Sequence, residues 1–425
     1  MLWCEAVAGQ RDAIGFAEKV LELLDEGRYT ATYKYAVLLA LIDLCLEGTQ
    51  ASGAPPEMVT TRQLADKIVE LYWTHTVPFA RRAQARILRQ NTGGQAEIVS
   101  AILRFRSRHA ADASVPRWHA RLAAPAAYER LVKTVEWKLI EMPLPRLQMM
   151  GQSLDPFIYE IHWDARVQRR EVELHLGDGD VGFDNRVLLK PGVGDYLLKL
   201  NGLLRPLIQR RWAAMVAQLN RLEDSQLEAF LFGADRVQTA RIRAGLWEIQ
   251  GCRCFYCDAR LGDPTRGQVD HFVPWSRYPD DSLDNLVVAD VACNAFKSNS
   301  LAAVDHVARW ARRFAAESPE HQQLGDLAQQ TAWEREPDKT ASVARGIYLR
   351  LPADAQLWLR RREFVGADGV RLAAVLTPAG SEHDRLSPEP ETTPPDHLRT
   401  ERWQRERTVE GSAPRPSSNS PDGSR

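Results

Sequence analysis

The residues best suited to chemistry lie close together between positions 269 and 298. Asp270 and His271 are adjacent, and an aspartate carboxylate supplies the oxygen ligands that Mg²⁺ and Mn²⁺ prefer. Histidine titrates near neutral pH, so His271 suits a general base that takes a proton from water. Because adjacent residues of an extended segment point to opposite faces, Asp270 can face a metal while His271 faces the attacking water.

Four further residues extend this set. Asn285 can both donate and accept hydrogen bonds, and we expect it to hold the His271 segment in place. Asn294 offers a second oxygen ligand, and Lys297 follows it at helical spacing, on the same face, where its ammonium is predicted to contact a phosphate. Arg277 is a second candidate for contact with the substrate backbone. The set predicts phosphodiester hydrolysis, which needs a Lewis acid, a deprotonated water and a stabilised leaving oxygen.

The whole stretch resembles the HNH domain of RNA-guided CRISPR effector nucleases, and thus the HNH endonuclease family with its ββα-metal fold. The spacing matches from Val269 through the Asn-x-x-Lys run. The resemblance implies that Asp270 and Asn294 hold one divalent metal, that His271 is the general base and that Asn285 orients it. Asn294 stands where the family often has histidine, and it retains an oxygen ligand. The resemblance covers about residues 250–300 only and implies no RNA guidance.

Cysteines beside the motif are candidate ligands of a structural zinc ion, namely Cys254, Cys257 and Cys293. Many HNH domains hold zinc on two Cys-x-x-Cys pairs, and the pair Cys254 and Cys257 is intact. The second pair instead begins with Asp290, and structural zinc sites prefer sulfur and nitrogen to carboxylate oxygen. Two interpretations therefore stand: a zinc site, or small buried residues of a vestigial knuckle.

Composition places the chain among ordinary globular proteins. It has 425 residues, 44% of them hydrophobic and 26% charged, and a net charge of −1. This charge excludes a global attraction to nucleic acid, so any attraction must come from basic patches, of which the arginine-rich stretch 81–108 is the first candidate. No signal peptide and no membrane-spanning run are indicated, and the cysteine usage is typical of a reducing cytoplasm. We therefore expect a cytoplasmic protein.

The hydrophobic periodicity predicts an α+β, mainly helical fold. Residues 157–163, 171–176 and 186–190 are predicted strands in the middle of the chain. The predicted segments are a helical N-terminal region (1–150), a small α/β region (151–235), an HNH nuclease domain (236–318), a C-terminal helical extension (319–380) and a disordered tail (381–425).

These observations predict a metal-dependent HNH endonuclease that cleaves DNA. Restriction or phage defence is the setting that the resemblance implies, with a homodimer or a defence-system protein as candidate partners. The alternative is a degenerate HNH fold that serves as a nucleic-acid or protein-binding adaptor, and RNA cleavage is a third interpretation. The complete Asp-His-Asn-Asn-Lys set favours the enzyme, because a binding module has no need of a general base.

Overall fold

A computed structural model describes residues 2–26, 30–81, 84–175, 183–222, 226–233 and 239–377. The predicted tail at 381–425 lies outside the described residues. The helices within the described ranges are α1 (Leu2–Glu26), α2 (Tyr33–Glu47), α3 (Thr61–Trp73), α4 (Glu97–His109), α5 (Arg117–Ala123), α6 (Pro125–Glu141), α7 (Pro143–Arg146), α8 (Arg169–His175), α9 (Val193–Lys199), α10 (Asn201–Asn220), α11 (Leu227–Phe232), α12 (Ala240–Ile249), α13 (Val291–Lys297), α14 (Val304–Ala311), α15 (Pro319–Thr331), α16 (Pro337–Tyr348) and α17 (Gly369–Leu376).

The strands in the same ranges are short and pair antiparallel. They are β1 (Met58–Thr60), β2 (Phe79–Arg81), β3 (Gln84–Arg86), β4 (Met149–Met150), β5 (Ser153–Leu154), β6 (Tyr159–Glu160), β7 (Arg186–Leu189), β8 (Gly267–His271), β9 (Leu286–Asp290), β10 (Gln356–Arg360) and β11 (Glu363–Gly366). Strands β1, β7 and β6 form one three-stranded sheet in that order, and the others form two-stranded pairs. The fold is therefore mainly helical with small antiparallel sheets, which confirms the predicted α+β class.

Helix α2 is the centre of the molecule, because residues 35–46 are buried on every side. A helix that is apolar all round is stable only inside a core. Its one buried charge, Asp43, pairs with the equally buried Arg205 of α10. Arg205 also donates to Asn201 Oδ1 at 3.0 Å, and Asn201 Nδ2 donates to the Arg277 carbonyl at 2.9 Å. This chain of contacts ties the core helix to the loop that carries the predicted site.

The predicted strand at 171–176 is wrong for residues 171–175, which belong to helix α8, and residue 176 lies outside the described residues. The segment alternates polar and apolar residues, yet the backbone N–H of Gln168 donates to Glu171 Oε2 at 3.0 Å. That contact is a helix-start signal of the capping-box kind. Only two residues of the strand predicted at 157–163 pair, as β6, whereas the strand at 186–190 is confirmed as β7. Helices α4 and α6 lie in the N-terminal region 1–150, which the sequence predicts to be helical.

Residues 1–379 form one compact unit. Most of the buried apolar side chains of the described part belong to one continuous core, which runs from Phe16 to Leu376. The division into five segments stays a prediction, because elements of the first four share this core. Helices α12 and α13, the sequence neighbours of the hairpin β8–β9, pack against its strands, and the more distant α16 contacts the turn just before β9.

Candidate active site

The predicted catalytic residues lie on a hairpin followed directly by a helix. Strands β8 and β9 pair antiparallel, with Asp270 opposite Val287 and His271 opposite Leu286. Helix α13 begins at once after β9, and Asp290 caps it by accepting from the backbone N–H of Cys293 at 2.9 Å. A side-chain acceptor at this position satisfies one of the free N–H groups of the first turn. Two strands and a helix thus bring positions 270, 271 and 294 into one small unit.

Asp270 lies on β8, and one of its two carboxylate oxygens is fully occupied. Oδ2 accepts from the Tyr256 hydroxyl at 2.6 Å and lies 3.0 Å from Lys297 Nζ. Oδ1 has no hydrogen-bond donor among the described residues. The side chain is about one-tenth exposed. A carboxylate held by two donors at one oxygen presents the other in a defined direction, as a metal ligand requires.

Asn294 lies beside the same face of the hairpin. Its Nδ2 donates to Gln268 Oε1 at 2.7 Å. Gln268 is two residues from Asp270 on β8, so both side chains point to one face of the strand. The hydrogen bond uses the nitrogen of the Asn294 amide and leaves Oδ1 without a partner in the described part of the chain. Asp270 and Asn294 therefore each present one free oxygen on this side of the hairpin, and this donor chemistry fits a hard divalent cation.

Lys297 lies in the interior, against the other side of Asp270. Its side chain is fully buried, and Nζ donates to the His271 carbonyl at 2.8 Å as well as pairing with Asp270. Burial lowers the pKa of Lys297, and the neighbouring Asp270 opposes that shift. The ammonium thus anchors both residues of the Asp-His pair. This position favours a structural role, and the phosphate contact of Lys297 stays a prediction.

His271 is held at one ring nitrogen and open at the other. Its Nε2 lies 2.8 Å from Oδ1 of Asp281, and its ring packs against Trp275 with the centroids 5.3 Å apart. Nδ1 has no hydrogen-bond partner among the described residues. A carboxylate can only accept a hydrogen bond, so the proton lies on Nε2 and the Nδ1 lone pair is free. That is the form of the ring that can take a proton from water.

Asn285 acts on the chain around His271 and does not touch its ring. The side chain is fully buried, with Oδ1 accepting from Val273 N at 2.8 Å. Its Nδ2 donates to the carbonyls of Val273 at 3.1 Å and Asp280 at 3.0 Å. These bonds close the loop 273–285, which starts just after His271 and carries Asp281. The geometry makes Asn285 a positioning residue, in line with the predicted role of holding the His271 segment.

Helix α16 and the segment just before it hold the same loop, 273–285, by hydrogen bonds. Thr340 of α16 donates to Asp280 Oδ2 at 2.8 Å, and the Trp333 indole donates to the Asp281 carbonyl at 2.8 Å. Buried Asp284 accepts from Arg335 Nε at 3.1 Å. Removing one partner of a buried ion pair costs about 3–5 kcal/mol, so the loop is strongly constrained. Residues beyond 330 thereby position Asp281, the partner of His271.

Four potential metal ligands meet below the hairpin. The ligand atoms of Cys254, Cys257, Asp290 and Cys293 all lie within 4.8 Å of one another. The Cys257 thiol donates to Asp290 Oδ2 at 3.0 Å, and the Cys254 sulfur accepts from Asp290 N at 3.3 Å. The described cysteines form no disulfide. Three sulfurs and one carboxylate oxygen can hold a zinc ion. Asp290 replaces the first cysteine of the second Cys-x-x-Cys pair, and in the structure its carboxylate joins the three sulfurs as a fourth possible ligand. The cluster therefore fits zinc.

The acid–base properties of this cluster support metal binding. A hydrogen bond from the Cys293 thiol lowers the pKa of Cys254 to about 6, and the same contact raises the pKa of Cys293. Burial and the neighbouring Asp290 raise the pKa of Cys257 to about 11. Burial opposes ionisation of Asp290, but hydrogen bonds from Cys257 and Cys293 outweigh it and lower its pKa. These shifts favour the anionic forms of Cys254 and Asp290 and the protonated forms of Cys257 and Cys293. A bound cation would be attracted by the two anions and would displace the two thiol protons.

The predicted basic residues make their contacts within the helical part of the fold. An added Cβ at Gly202 of α10 would lie 2.0 Å from Arg277 NH1, so the Arg277 guanidinium packs against that helix. Arg106, from the candidate stretch 81–108, is buried and donates to the Trp73 carbonyl at 3.1 Å. Arg86 and Arg89 donate to backbone carbonyls at the end of α10. Substrate binding by Arg277 stays a prediction, while Arg106 serves the interior of the helical region.

Sequence reasoning missed four residues of the site, namely Tyr256, Gln268, Trp275 and Asp281. Tyr256 lies within the Cys-x-x-Cys knuckle, and Gln268 is two residues before Asp270, so alternation along β8 could have suggested the latter. Asp281 is one of two adjacent aspartates, and nothing in the order of residues distinguishes it from Asp280. The structure does, because Asp280 bonds Ser282 and Thr340, whereas Asp281 bonds His271.

The hairpin, the following helix and the Asp-His pair define a nuclease-like site of two strands and one helix. Residues 254–303 match the family model described as HNH endonuclease, so this segment carries an HNH domain. Such a domain indicates nuclease activity in general. No curated protein and no solved structure gives a significant match to the chain.

None of the described helices is both long and apolar enough to cross a bilayer.

Proposed function

We propose that this protein is a metal-dependent endonuclease that hydrolyses phosphodiester bonds of DNA. The observation that carries the proposal is the arrangement around Asp270 and His271. Two oxygens without partners in the described chain, on Asp270 and Asn294, lie on one side of the hairpin. The ring of His271, the residue after Asp270, is held by Asp281 at Nε2, and its Nδ1 has no partner in the described chain. A binding module would need neither the open oxygens nor the oriented base.

His271 takes the proton of the attacking water at Nδ1. Asp281 accepts the Nε2 proton, which keeps the ring in the tautomer with a free Nδ1 lone pair. When Nδ1 is protonated, the ring becomes a cation, and the Asp281 carboxylate stabilises that charge at 2.8 Å. A base held in this way typically contributes about 10²- to 10⁴-fold in rate.

Asp270 and Asn294 are the residues that would hold Mg²⁺ or Mn²⁺. The ion supplies a Lewis acid for the phosphate and the departing oxygen. Tyr256 and Lys297 orient the Asp270 carboxylate through Oδ2, and Gln268 orients the Asn294 amide through Nδ2. Residues that fix metal ligands in this way commonly change metal affinity or activity about 10- to 100-fold when they are replaced.

Zinc on Cys254, Cys257, Asp290 and Cys293 is part of the proposal and has a structural role. The cluster connects the knuckle before β8 to the first turn of α13, so a bound ion would fix the base of the hairpin. Cys254 and Cys257 precede the predicted catalytic pair in the sequence, and Cys293 follows it. We assign them no part in the chemistry.

DNA as substrate, a restriction or phage-defence setting, a cytoplasmic location and a homodimer or defence-system partner complete the proposal. They are supported by the family resemblance of one segment and by no contact in the structure. One HNH site cuts one strand, so a double-strand break would require two sites or two events.

A plasmid-nicking assay tests the proposal. Purified protein is incubated with supercoiled DNA and, in parallel, with a labelled RNA, each with Mg²⁺, Mn²⁺ or EDTA. The expected result is nicked DNA with either metal and none with EDTA. Cleavage of RNA alone would transfer the proposal to RNA, and no metal-dependent cleavage of either would favour the adaptor.

A further inference from the structure

A cavity of about 190 Å³ lies beside the loop 273–285. It is bounded by that loop, by the segment between α4 and α5, and by the residues after α15. Four tryptophans contribute to its wall: Trp73, Trp118, Trp275 and Trp333. The volume is below the roughly 300–1,000 Å³ of pockets for drug-sized ligands, so it suits one small planar group.

Three of these tryptophans are fixed by hydrogen bonds from their indole nitrogens. Trp73 donates to the Val115 carbonyl at 3.0 Å, Trp275 to the Phe232 carbonyl at 2.9 Å and Trp333 to the Asp281 carbonyl at 2.8 Å. The fourth, Trp118, packs against Trp333 with the centroids 6.4 Å apart. Its indole N–H has no partner in the described part of the molecule. The cavity therefore has preformed flat walls and one free donor.

The cavity adjoins the general base. Asp281 lines the cavity and also binds Nε2 of His271. Trp275 lines it too, and its ring meets the His271 ring edge-on with the centroids 5.3 Å apart. The cavity therefore shares Asp281 and Trp275 with the surroundings of the His271 ring.

Glu334 adds a polar group to this wall. It lines the cavity and is half-buried, and its carboxylate makes no hydrogen bond or ion pair with any described residue. Burial raises the pKa of Glu334, while the charges of Arg117 and Lys339 oppose the shift. A partly buried carboxylate without a donor is costly, and it is satisfied when a ligand supplies N–H groups.

We propose that this cavity holds one unstacked nucleobase of the substrate strand and favours a base with an exocyclic amino group. The inference rests on the proposed nuclease function, because it takes the ligand to be a nucleotide next to the scissile phosphate. Aromatic faces stack on any base, and a carboxylate accepts hydrogen bonds from an amino group such as N4 of cytosine. Trp118 and Trp333 supply the stacking face, and Glu334 supplies the acceptor.

The test measures binding of short labelled single strands of deoxycytidine or deoxyuridine by fluorescence anisotropy. These bases have similar stacking faces and differ in the amino group. The full chain carries His271→Ala so that no cleavage interferes, and the pH is mildly alkaline so that Glu334 is ionised. The deoxycytidine strand should bind roughly tenfold more tightly. Adding Trp118→Ala should weaken binding of both strands roughly 5- to 150-fold.

Three further variants separate stacking and recognition from general damage. Trp118→Phe keeps an aromatic face and should restore most of the affinity. Glu334→Gln should remove the preference for deoxycytidine while both strands still bind. Trp137→Ala, at a half-buried tryptophan of α6 that lines a different cavity, should change neither affinity.

Two outcomes distinguish the cavity from the nuclease proposal. If Trp118→Ala and Glu334→Gln bind both strands as the parent does, the cavity inference is overturned, and metal-dependent nicking by the wild type still stands. In that case the cavity is left to another ligand, such as a protein side chain. If the wild type cuts nothing but binding remains dependent on Trp118 and selective for cytosine, the nuclease proposal fails and the base pocket stands.

Discussion

Two histidines in different regions show how a ring enclosed in the core differs from the ring that we propose as the general base. His75, in the helical N-terminal region, is fully buried, with Nε2 3.2 Å from the Leu231 carbonyl and Nδ1 3.2 Å from Gln90 Nε2. His271, on β8, is one-fifth exposed and has one partner, Asp281. A carbonyl or carboxylate at Nε2 sets the same tautomer in both rings. The difference is that the second nitrogen of His75 is occupied and that of His271 is open.

The surroundings of the two rings also differ, because His75 is enclosed in the core and His271 is accessible. His75 packs edge-on against Trp212 at 4.8 Å and Tyr72 at 5.5 Å, and burial lowers its pKa to about 3. The ring is therefore a neutral component of the core. Around His271, hydrogen bonds hold the backbone of the following loop, and Asp281 holds one ring nitrogen, while the ring stays accessible. Position in a hydrogen-bond network, and not residue type, separates the two roles.

Replacing each histidine by alanine should produce the largest contrast. His271→Ala should reduce DNA cleavage by about 10²-fold or more, because the variant lacks the proposed acceptor of the water proton, and should leave DNA affinity and thermal stability near wild type. His75→Ala should lower the free energy of unfolding by about 3 kcal/mol through lost packing and hydrogen bonds, with normal cleavage per folded molecule. Nicking assays and denaturant titrations measure the two effects. Normal cleavage by His271→Ala would refute the general-base assignment.

Asp281→Asn tests whether the fixed tautomer matters. An asparagine amide can donate to Nε2, which would move the ring proton to Nδ1 and remove the base. We expect kcat to fall about 10²-fold at unchanged KM and unchanged melting temperature. Asp281→Glu, which keeps the carboxylate, should recover part of the rate. Equal losses in both variants would indicate that Asp281 serves only the loop.

The cysteine cluster tests whether the His271 region, unlike the His75 region, depends on a metal for its stability. Zinc bound to the purified protein should be found at one ion per chain, and its removal by a chelator should lower the melting temperature. Because Cys257, with a pKa of about 11, must lose its proton on binding, apparent zinc affinity should fall as the pH falls. Cys257→Ser should weaken zinc binding. A chain that purifies without zinc and does not take it up would support the vestigial knuckle.

The last expected effect is the acid sensitivity of the His75 region. Its pKa in the folded state, about 3, is below the ordinary value of 6.5, so the unfolded chain binds the proton more readily. The stabilising contribution is complete above pH 6.5 and is lost as the pH falls from there toward 3. The neutral variant His75→Gln should show a shallower decline of unfolding free energy over that range. Parallel declines would place the acid sensitivity in other groups.

The local part of the site could be predicted from the sequence, and the long-range part could not. Asp270, His271, Asn285 and Asn294 are recognisable because one hairpin and one helix fix their spacing. The contacts that tune them join segments in three dimensions: Asp281 to His271 across a loop, Gln268 to Asn294 from strand to helix, and Tyr256 to Asp270. No periodicity encodes such contacts.

The fold shows the same division. The long amphipathic helices α4 and α6 follow from their apolar spacing. The segment 171–176 alternates like a strand, but the helix-start contact between Gln168 and Glu171 favours helix α8 for residues 171–175. In the sequence, Asp290 stands where a zinc-binding Cys-x-x-Cys pair would have its first cysteine. In the structure, Asp290 caps α13, and its carboxylate lies beside the three sulfurs of the cluster.

The most direct test of the central claim is cleavage of one labelled DNA under single-turnover conditions, with wild type and His271→Ala compared with Mg²⁺, with Mn²⁺ and with EDTA. DNA binding is measured in the same samples. The account predicts metal-dependent cleavage by the wild type only, with both proteins bound to DNA. Cleavage that persists in EDTA, or that is equal in the two proteins, would contradict it.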